Sequence, residues 1–115
     1  MTTTTSLAPL LEHFFTQRLM QQRNASPHTI SSYRDTFRQF LIFAQQRLHQ
    51  SPSRLNIEQI DAPLVAAFLD ELEKHRGLTV RSRNLRLTAI HSFFHYVAFE
   101  LPTHAAQIQR VLIDR

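Results

Sequence analysis

The residues best suited to chemistry lie between Thr79 and Phe99, in the stretch TVRSRNLRLTAIHSFFHYVAF, which contains no Asp or Glu. Its arginines are Arg81, Arg83 and Arg86, and they are accompanied by Asn84, Thr88 and Ser92. Guanidinium groups bind phosphate oxygens in bidentate geometry, and neutral polar side chains bond to phosphates or to base edges. An ordinary solvated surface mixes charges of both signs. The composition therefore favours a nucleic-acid contact surface over a solvated helix face.

Helical spacing divides this stretch into two faces. If Thr79 is the N-cap of a helix with 3.6 residues per turn, apolar side chains recur on one stripe and polar ones on the opposite stripe. The apolar stripe is Val80, Leu87, Ile90, Phe94 and Val97, and the polar stripe is Arg81, Asn84, Thr88, His91 and His95. Arg83 lies near the apolar stripe, so we expect it to extend past the core or to pair with an acid.

A second cluster of polar side chains begins another candidate helix. The cluster consists of Ser26, His28, Thr29, Ser31 and Ser32. Ser26 followed by Pro27 matches the order of an N-cap and a first-turn proline. Capping alone accounts for Ser26 and Thr29, whereas the other three exceed what a cap needs. The free N–H groups of a helix N-terminus suit a phosphate oxygen, and Arg34 and Arg38 would extend such a surface.

Other kinds of chemistry find little support. His91 and His95 have the spacing of two metal ligands on a helix, but no glutamate lies between them and no third ligand is evident, so we expect no metal. The chain lacks cysteine, which excludes disulfides and thiol catalysis, and Gly77 is its one glycine, which excludes glycine-rich phosphate loops. We expect no cofactor and no catalytic centre.

The composition is that of a globular chain with a real core. Its 115 residues include 43% hydrophobic residues and nine Phe, which suits a single domain. The formal net charge is +4, and all but one of the 13 basic residues are arginine. We find no membrane span and no signal peptide, so we expect a cytoplasmic protein.

Start and stop signals predict four main helices and a short fifth. A polar tail, Met1 to Thr5, precedes them, and we expect it to be frayed and disordered. The predicted helices run from Leu7 to Arg23 with Ser6 as N-cap, from His28 to about His49, from the N-cap Asp61 to the C′ residue Gly77, from Thr79 to just before Pro102, and from Thr103 to about Leu112. A hydrophobic staple between Ile60 and Val65 supports the predicted start of the third helix.

The resulting fold class is all-α, because no stretch alternates like a strand. The fifth helix, with Ile108, Val111 and Leu112, is expected to bury little. We interpret residues 1–115 as one helical domain, with residues 103–115 as a short helix leading into a linker.

Four segments of the chain resemble, in order and spacing, the N-terminal core-binding, SAM-like domain of the tyrosine recombinases, also called phage-integrase-type recombinases. The segments are LLEHFFTQRL, SPHTISSYRDTFRQFLIFA, IEQIDAPLVAAFLDEL and TVRSRNLRLTAIHSFFHYVAFE. SPHTISSYRDTFRQFL and NLRLTAIHSFFHY are the most specific parts. The resemblance implies a four-helix SAM-like orthogonal bundle with a short fifth helix.

The resemblance also implies a function, namely one half of a clamp around double-stranded DNA at a recombination half-site. Its contacts, carried onto matching positions, would come from His28, Thr29, Ser31, Ser32 and Arg38, and from Arg81, Ser82, Asn84 and Thr88. The catalytic half of the family carries a His-x-x-Arg segment, and no His in this chain is followed three residues later by Arg. We therefore expect a DNA-binding domain that performs no chemistry itself and that works with a C-terminal catalytic domain.

A helical protein-interaction domain is the alternative from another functional class. In that interpretation Ile108, Val111 and Leu112 dock a partner helix. Both interpretations are compatible, because the resemblance also implies self-association on DNA through the C-terminal helix.

Overall fold

The computed structural model describes residues 5–113, and within this range the chain is helical, with one isolated bridge between Ser6 and Asn56. The α-helices are α1 (Leu7–His13), α2 (Pro27–Leu48), α3 (Ala62–Arg76), α4 (Val80–Glu100) and α5 (Ala105–Ile113). Short 3-10 turns occur at Pro52–Arg54, Ile57–Gln59 and Pro102–His104. The predicted all-α class is confirmed. None of the described helices is long and apolar enough to cross a membrane.

The predicted helix from Leu7 to Arg23 changes its winding part-way along. α1 ends at His13, and Phe14–Gln22 continues as a π-helix. Just beyond the change, the Thr16 hydroxyl donates to the Glu12 carbonyl over 2.9 Å. Ser6 occupies the N-cap position without a side-chain capping bond.

The described chain forms two compact units, the first extending to Gln59 and the second beginning at Ile60. In the first unit, α1 and the π-helix pack with α2 around a cluster of aromatic rings. The ring centroids of Phe14 and Phe37 lie 6.2 Å apart, and the two rings meet edge to face, which suits their quadrupoles. Thr5 belongs to this structure rather than to a frayed tail, since its carbonyl accepts from the Ile57 amide over 2.8 Å. The rest of the predicted tail, residues 1–4, lies outside the described residues.

In the second unit, α3, α4 and α5 enclose a core of their own side chains. Its fully buried side chains include Phe68, Leu69, Leu72, Ile90, Phe93, Phe94 and Ile108. The predicted ends of α3 are confirmed, because the Asp61 carboxylate accepts from the Leu64 amide over 3.0 Å and Gly77 adopts the left-handed conformation at φ 62°. Gly77 suits this position because it has no Cβ to clash.

Two predictions for this unit are wrong. Val80 was assigned to the core stripe of α4 but is 69% exposed, whereas Phe93 and Ala89, outside the assigned stripe, are buried. The buried arc is wider and shifted because α4 packs against both α3 and α5. For the same reason α5 buries more than its length suggested, with Ile108 and Val111 both inside the core.

Candidate nucleic-acid interface

The exposed face of α4 carries most of the predicted contact residues of the second unit. Thr79 caps the helix by accepting from the Ser82 amide over 3.1 Å, as its sequence position indicated. Arg81, Asn84 and Thr88 are all exposed, one helical turn apart in each step. Ser82 is half-buried at the edge of this face. We call the surface formed by Arg81, Asn84 and Thr88 the α4 face.

The α4 face is positively charged, and the charge comes from Arg81. No acidic side chain in the described part of the chain pairs with Arg81. Arg86 lies to one side of the face, half-buried, and donates from Nη1 to the Ser82 carbonyl over 3.2 Å. The Thr88 hydroxyl donates to the Asn84 carbonyl over 2.9 Å, and its oxygen keeps its lone pairs to accept a further hydrogen bond.

Arg83 is withdrawn from the α4 face by an ion pair. Its Nε lies against Oε1 of Glu73, which comes from the last turn of α3, and the Arg83 side chain is only 12% exposed. The contact is an ion pair and not a well-aligned hydrogen bond. From the same guanidinium, Nη1 donates to Oδ1 of Asn84 over 3.3 Å. The expectation that Arg83 pairs with an acid is thus met, and Glu73 is the acid.

The second predicted surface lies on the N-terminal part of α2 in the first unit, and we call it the α2 surface; it consists of His28, Thr29, Ser31, Ser32 and Arg38. The Ser26 hydroxyl accepts from the Thr29 amide over 3.1 Å and donates to the Thr29 hydroxyl over 3.1 Å. Thr29 is therefore engaged in capping, as the simpler interpretation held. His28, Ser31 and Ser32 are exposed within the first two turns, beside the free N–H groups of the helix start.

Arg38 extends the α2 surface, but the neighbouring carboxylate of Asp35 offsets its positive charge. Its Nη1 lies 3.6 Å from Oδ1 of Asp35, and both side chains are more than 60% exposed. An exposed pair of this kind is worth little, so a phosphate can replace the carboxylate without a large penalty. Arg38 accordingly remains available to an anionic ligand.

The predicted contact residues thus fall into two groups, each held together by one helix. Arg81, Ser82, Asn84 and Thr88 lie within the first three turns of α4. His28, Thr29, Ser31, Ser32 and Arg38 lie on α2 between its start at Pro27 and its middle.

His91 departs from its predicted position on the polar stripe. It is half-buried, and its Nε2 is buried without a hydrogen-bond partner among the described residues. Burial lowers the pKa of His91, the charge of His95 lowers it further, and a hydrogen bond with the Val111 backbone acts in the opposite direction. Burial therefore favours the neutral form of His91, and its half-buried side chain does not extend the α4 face.

Two residues near the α4 face were not singled out from the sequence. Leu85 is 56% exposed among the polar residues, and Glu73 holds Arg83. Glu73 lies on the preceding helix, outside the acid-free stretch from Thr79 to Phe99. No group of three His, Cys, Asp or Glu that could hold a metal occurs in the described residues.

The chain belongs to the phage-integrase family, because the model of the phage integrase N-terminal SAM-like domain matches residues 13–100. The resemblance inferred from the four sequence segments is thereby confirmed. The chain is therefore of the class that forms the N-terminal domain of tyrosine recombinases and integrases, which act in recombination.

Curated relatives agree with this assignment. The chain is 75% identical over 112 residues to a putative integrase/recombinase, y4rC, of Sinorhizobium fredii (strain NBRC 101917 / NGR234), covering 97% of this chain and 34% of the relative. It is 52% identical over 106 residues to a second putative integrase/recombinase, y4rD, of the same strain, covering 92% of this chain and 38% of the relative. It is 32% identical to tyrosine recombinase XerC of Pelobacter propionicus (strain DSM 2379 / NBRC 103807 / OttBd1), covering 79% and 29%. The chain thus spans about a third of the length of these relatives. No solved structure matches it.

Proposed function

We propose that this chain binds double-stranded DNA at a recombination half-site and acts as the N-terminal clamp domain of a tyrosine recombinase or integrase. The observation that carries the proposal is the α4 face, where exposed Arg81, Asn84 and Thr88 lie on a helix without an acidic residue from Val80 to Phe99. A helix of this kind fits the major groove, and its arginine and amide side chains suit phosphates and base edges.

The α2 surface would supply a second set of contacts, mainly to the DNA backbone. Exposed hydroxyls and an imidazole at a helix start place donors next to the positive end of the helix dipole, which favours a phosphate. Such contacts orient a protein on the duplex without reading its sequence. The α2 surface therefore serves placement, and the α4 face serves both placement and base contact.

The partners follow from the family. A recombinase needs a catalytic domain to cut and rejoin strands, and we propose that the bound clamp domain positions that domain in the full-length protein. Self-association on DNA through α5 is part of the same proposal. Of the three apolar residues predicted to dock a partner, Ile108 and Val111 are buried within the second unit and Leu112 is half-buried, so the exposed Ile113 is the better candidate for such a contact.

Salt dependence tests the electrostatic basis of the proposal. If about four to six arginine and helix-end contacts reach phosphates, the logarithm of affinity should fall with the logarithm of salt at a slope of roughly −4 to −5. Fluorescence anisotropy with a labelled duplex of arbitrary sequence, repeated across a salt series, measures this slope. An affinity that does not change with salt, or no binding at low salt, would contradict the proposal.

The protein-interaction alternative makes a different prediction for the same titration. A chain that only docks partner helices has no reason to bind duplex DNA, and the burial of Ile108 and Val111 removes two of the three apolar residues predicted to dock such a helix. The DNA-binding interpretation is therefore the better supported of the two.

A further inference from the structure

We propose that Glu73 and Arg83 form a positioning pair, whose role is to fix the side-chain amide of Asn84 so that its N–H groups point toward the DNA. This inference depends on the proposed function, because it assigns a purpose to the pair only if Asn84 contacts DNA. Glu73 itself lies on α3 and touches no ligand.

The placement of the pair argues against a simple role in stabilising either helix. Glu73 is in the last turn of α3, beside the negative end of the helix dipole, where an acid is disfavoured. Arg83 is the fourth residue of α4, near the positive end, where a cation is disfavoured. Each charge is thus poorly placed in its own helix and is compensated by the other across the α3–α4 junction.

Arg83 makes two contacts at the same time. Its Nε contacts the Glu73 carboxylate, and its Nη1 donates to Oδ1 of Asn84 over 3.3 Å. A guanidinium is planar and rigid, so holding one edge on Glu73 fixes the direction of the other N–H groups. The low exposure of Arg83, at 12%, further limits its alternative conformations.

The chemistry of the two groups then determines how Asn84 is oriented. A guanidinium has only donors, so the amide atom that faces Arg83 must be the oxygen. The Asn84 nitrogen, with its two N–H donors, consequently points away from Arg83. An outward donor matches the acceptors of the major groove, such as N7 of a purine, and the amide oxygen keeps a second lone pair for the N6 amino group of adenine.

Without the pair, the Asn84 amide would rotate freely between two opposite orientations. Fixing one of them in advance removes part of the entropy cost of binding. Replacing one residue of such a network typically changes the free energy of binding by about 0.5–1.4 kcal/mol, which corresponds to roughly two- to tenfold in affinity.

The experiment compares two glutamates that carry the same charge on the same helix. Glu73→Gln and Glu71→Gln each remove one negative charge, but Glu71 pairs with His75 within α3 and does not contact Arg83. Simple electrostatics predicts that both variants bind DNA slightly more tightly. The positioning role predicts instead that Glu73→Gln binds roughly two- to tenfold more weakly than the wild type, while Glu71→Gln does not. The probe is a duplex that the wild-type chain has enriched from a randomised pool.

Two further variants separate positioning from a structural effect. Arg83→Lys keeps the charge but not the planar fork, so it should weaken binding to the same extent as Glu73→Gln. In an Asn84→Ala background, Glu73→Gln should cause no further loss, because the residue through which it acts is gone. The inference is overturned if Glu73→Gln binds as tightly as Glu71→Gln, or if its loss persists in the Asn84→Ala background. If the wild-type chain enriches no duplex, the proposed function itself is wrong and the inference with it.

Discussion

Replacing both Arg81 and Asn84 with alanine is expected to weaken DNA binding by roughly 2–4 kcal/mol, because a phosphate or base contact from each side chain is worth about 1–2 kcal/mol. The loss of one phosphate contact should also make the salt slope shallower by about one. Anisotropy titrations at several salt concentrations measure both quantities on the same samples.

The double variant should leave the fold intact. Both side chains are exposed, and neither makes a contact that holds α4 against its neighbours, so the thermal midpoint is expected to stay close to that of the wild type. A large fall in the midpoint would show instead that the α4 face is structural. Circular dichroism during heating provides this comparison.

A charge-matched control exists on α2. Gln46 and Arg47 are an amide and an arginine, both exposed, in the last turn of α2, and Arg47 is about 28 Å along the helix from His28. Replacing both with alanine removes the same net charge. If this control weakened DNA binding as much as the Arg81 and Asn84 variant, the effect would come from net charge rather than from the α4 face.

Phe94→Ala is expected to lower the free energy of unfolding by about 3–5 kcal/mol, since it removes a large side chain from a closed core. Phe94 is 1% exposed, and its ring lies edge-to-face with Phe93 at a centroid distance of 5.6 Å. A loss of this size is a large fraction of the total stability of a small domain. Urea denaturation followed by circular dichroism measures it.

The same helix supplies the control for this variant. Phe99 is 75% exposed, so Phe99→Ala should change the free energy of unfolding by no more than about 0.5 kcal/mol. Similar losses from both variants would mean that the side chain of Phe99 is buried in solution by a partner or a second copy, or that Phe94 is less enclosed than the structure shows.

The helix ends were predictable because their signals are local. Ser26, Asp61 and Thr79 each accept a hydrogen bond from an amide three residues ahead, and Gly77 adopts the backbone conformation that its lack of a side chain permits. These interactions involve neighbours in the chain, so their residue types are visible in sequence order.

The burial pattern of α4 was less predictable because it depends on the packing of other helices. A single stripe explains Phe94 but not the burial of Phe93 or the exposure of Val80, which follow from contacts with both α3 and α5. The π-helical winding of Phe14–Gln22 is likewise not visible in the helical periodicity of the sequence.

In the candidate site, too, local features were predictable from the sequence and tertiary contacts were not. The exposed positions of Arg81, Asn84 and Thr88 followed from their spacing on one helix. The ion pair that removes Arg83 from this surface required knowledge of where Glu73 lies on a different helix, ten residues earlier in the chain. Basic residues in a sequence therefore indicate a candidate contact surface, whereas tertiary pairing decides which of them stay exposed.

An NMR titration of the isotope-labelled chain with duplex DNA tests the central claim most directly, because it reports on each amide separately. We expect the largest shift changes in α4 from Arg81 to Thr88, and a second set at the start of α2 from His28 to Ser32. Shift changes confined to α5, or no change at DNA concentrations that saturate a basic protein at low salt, would contradict the account.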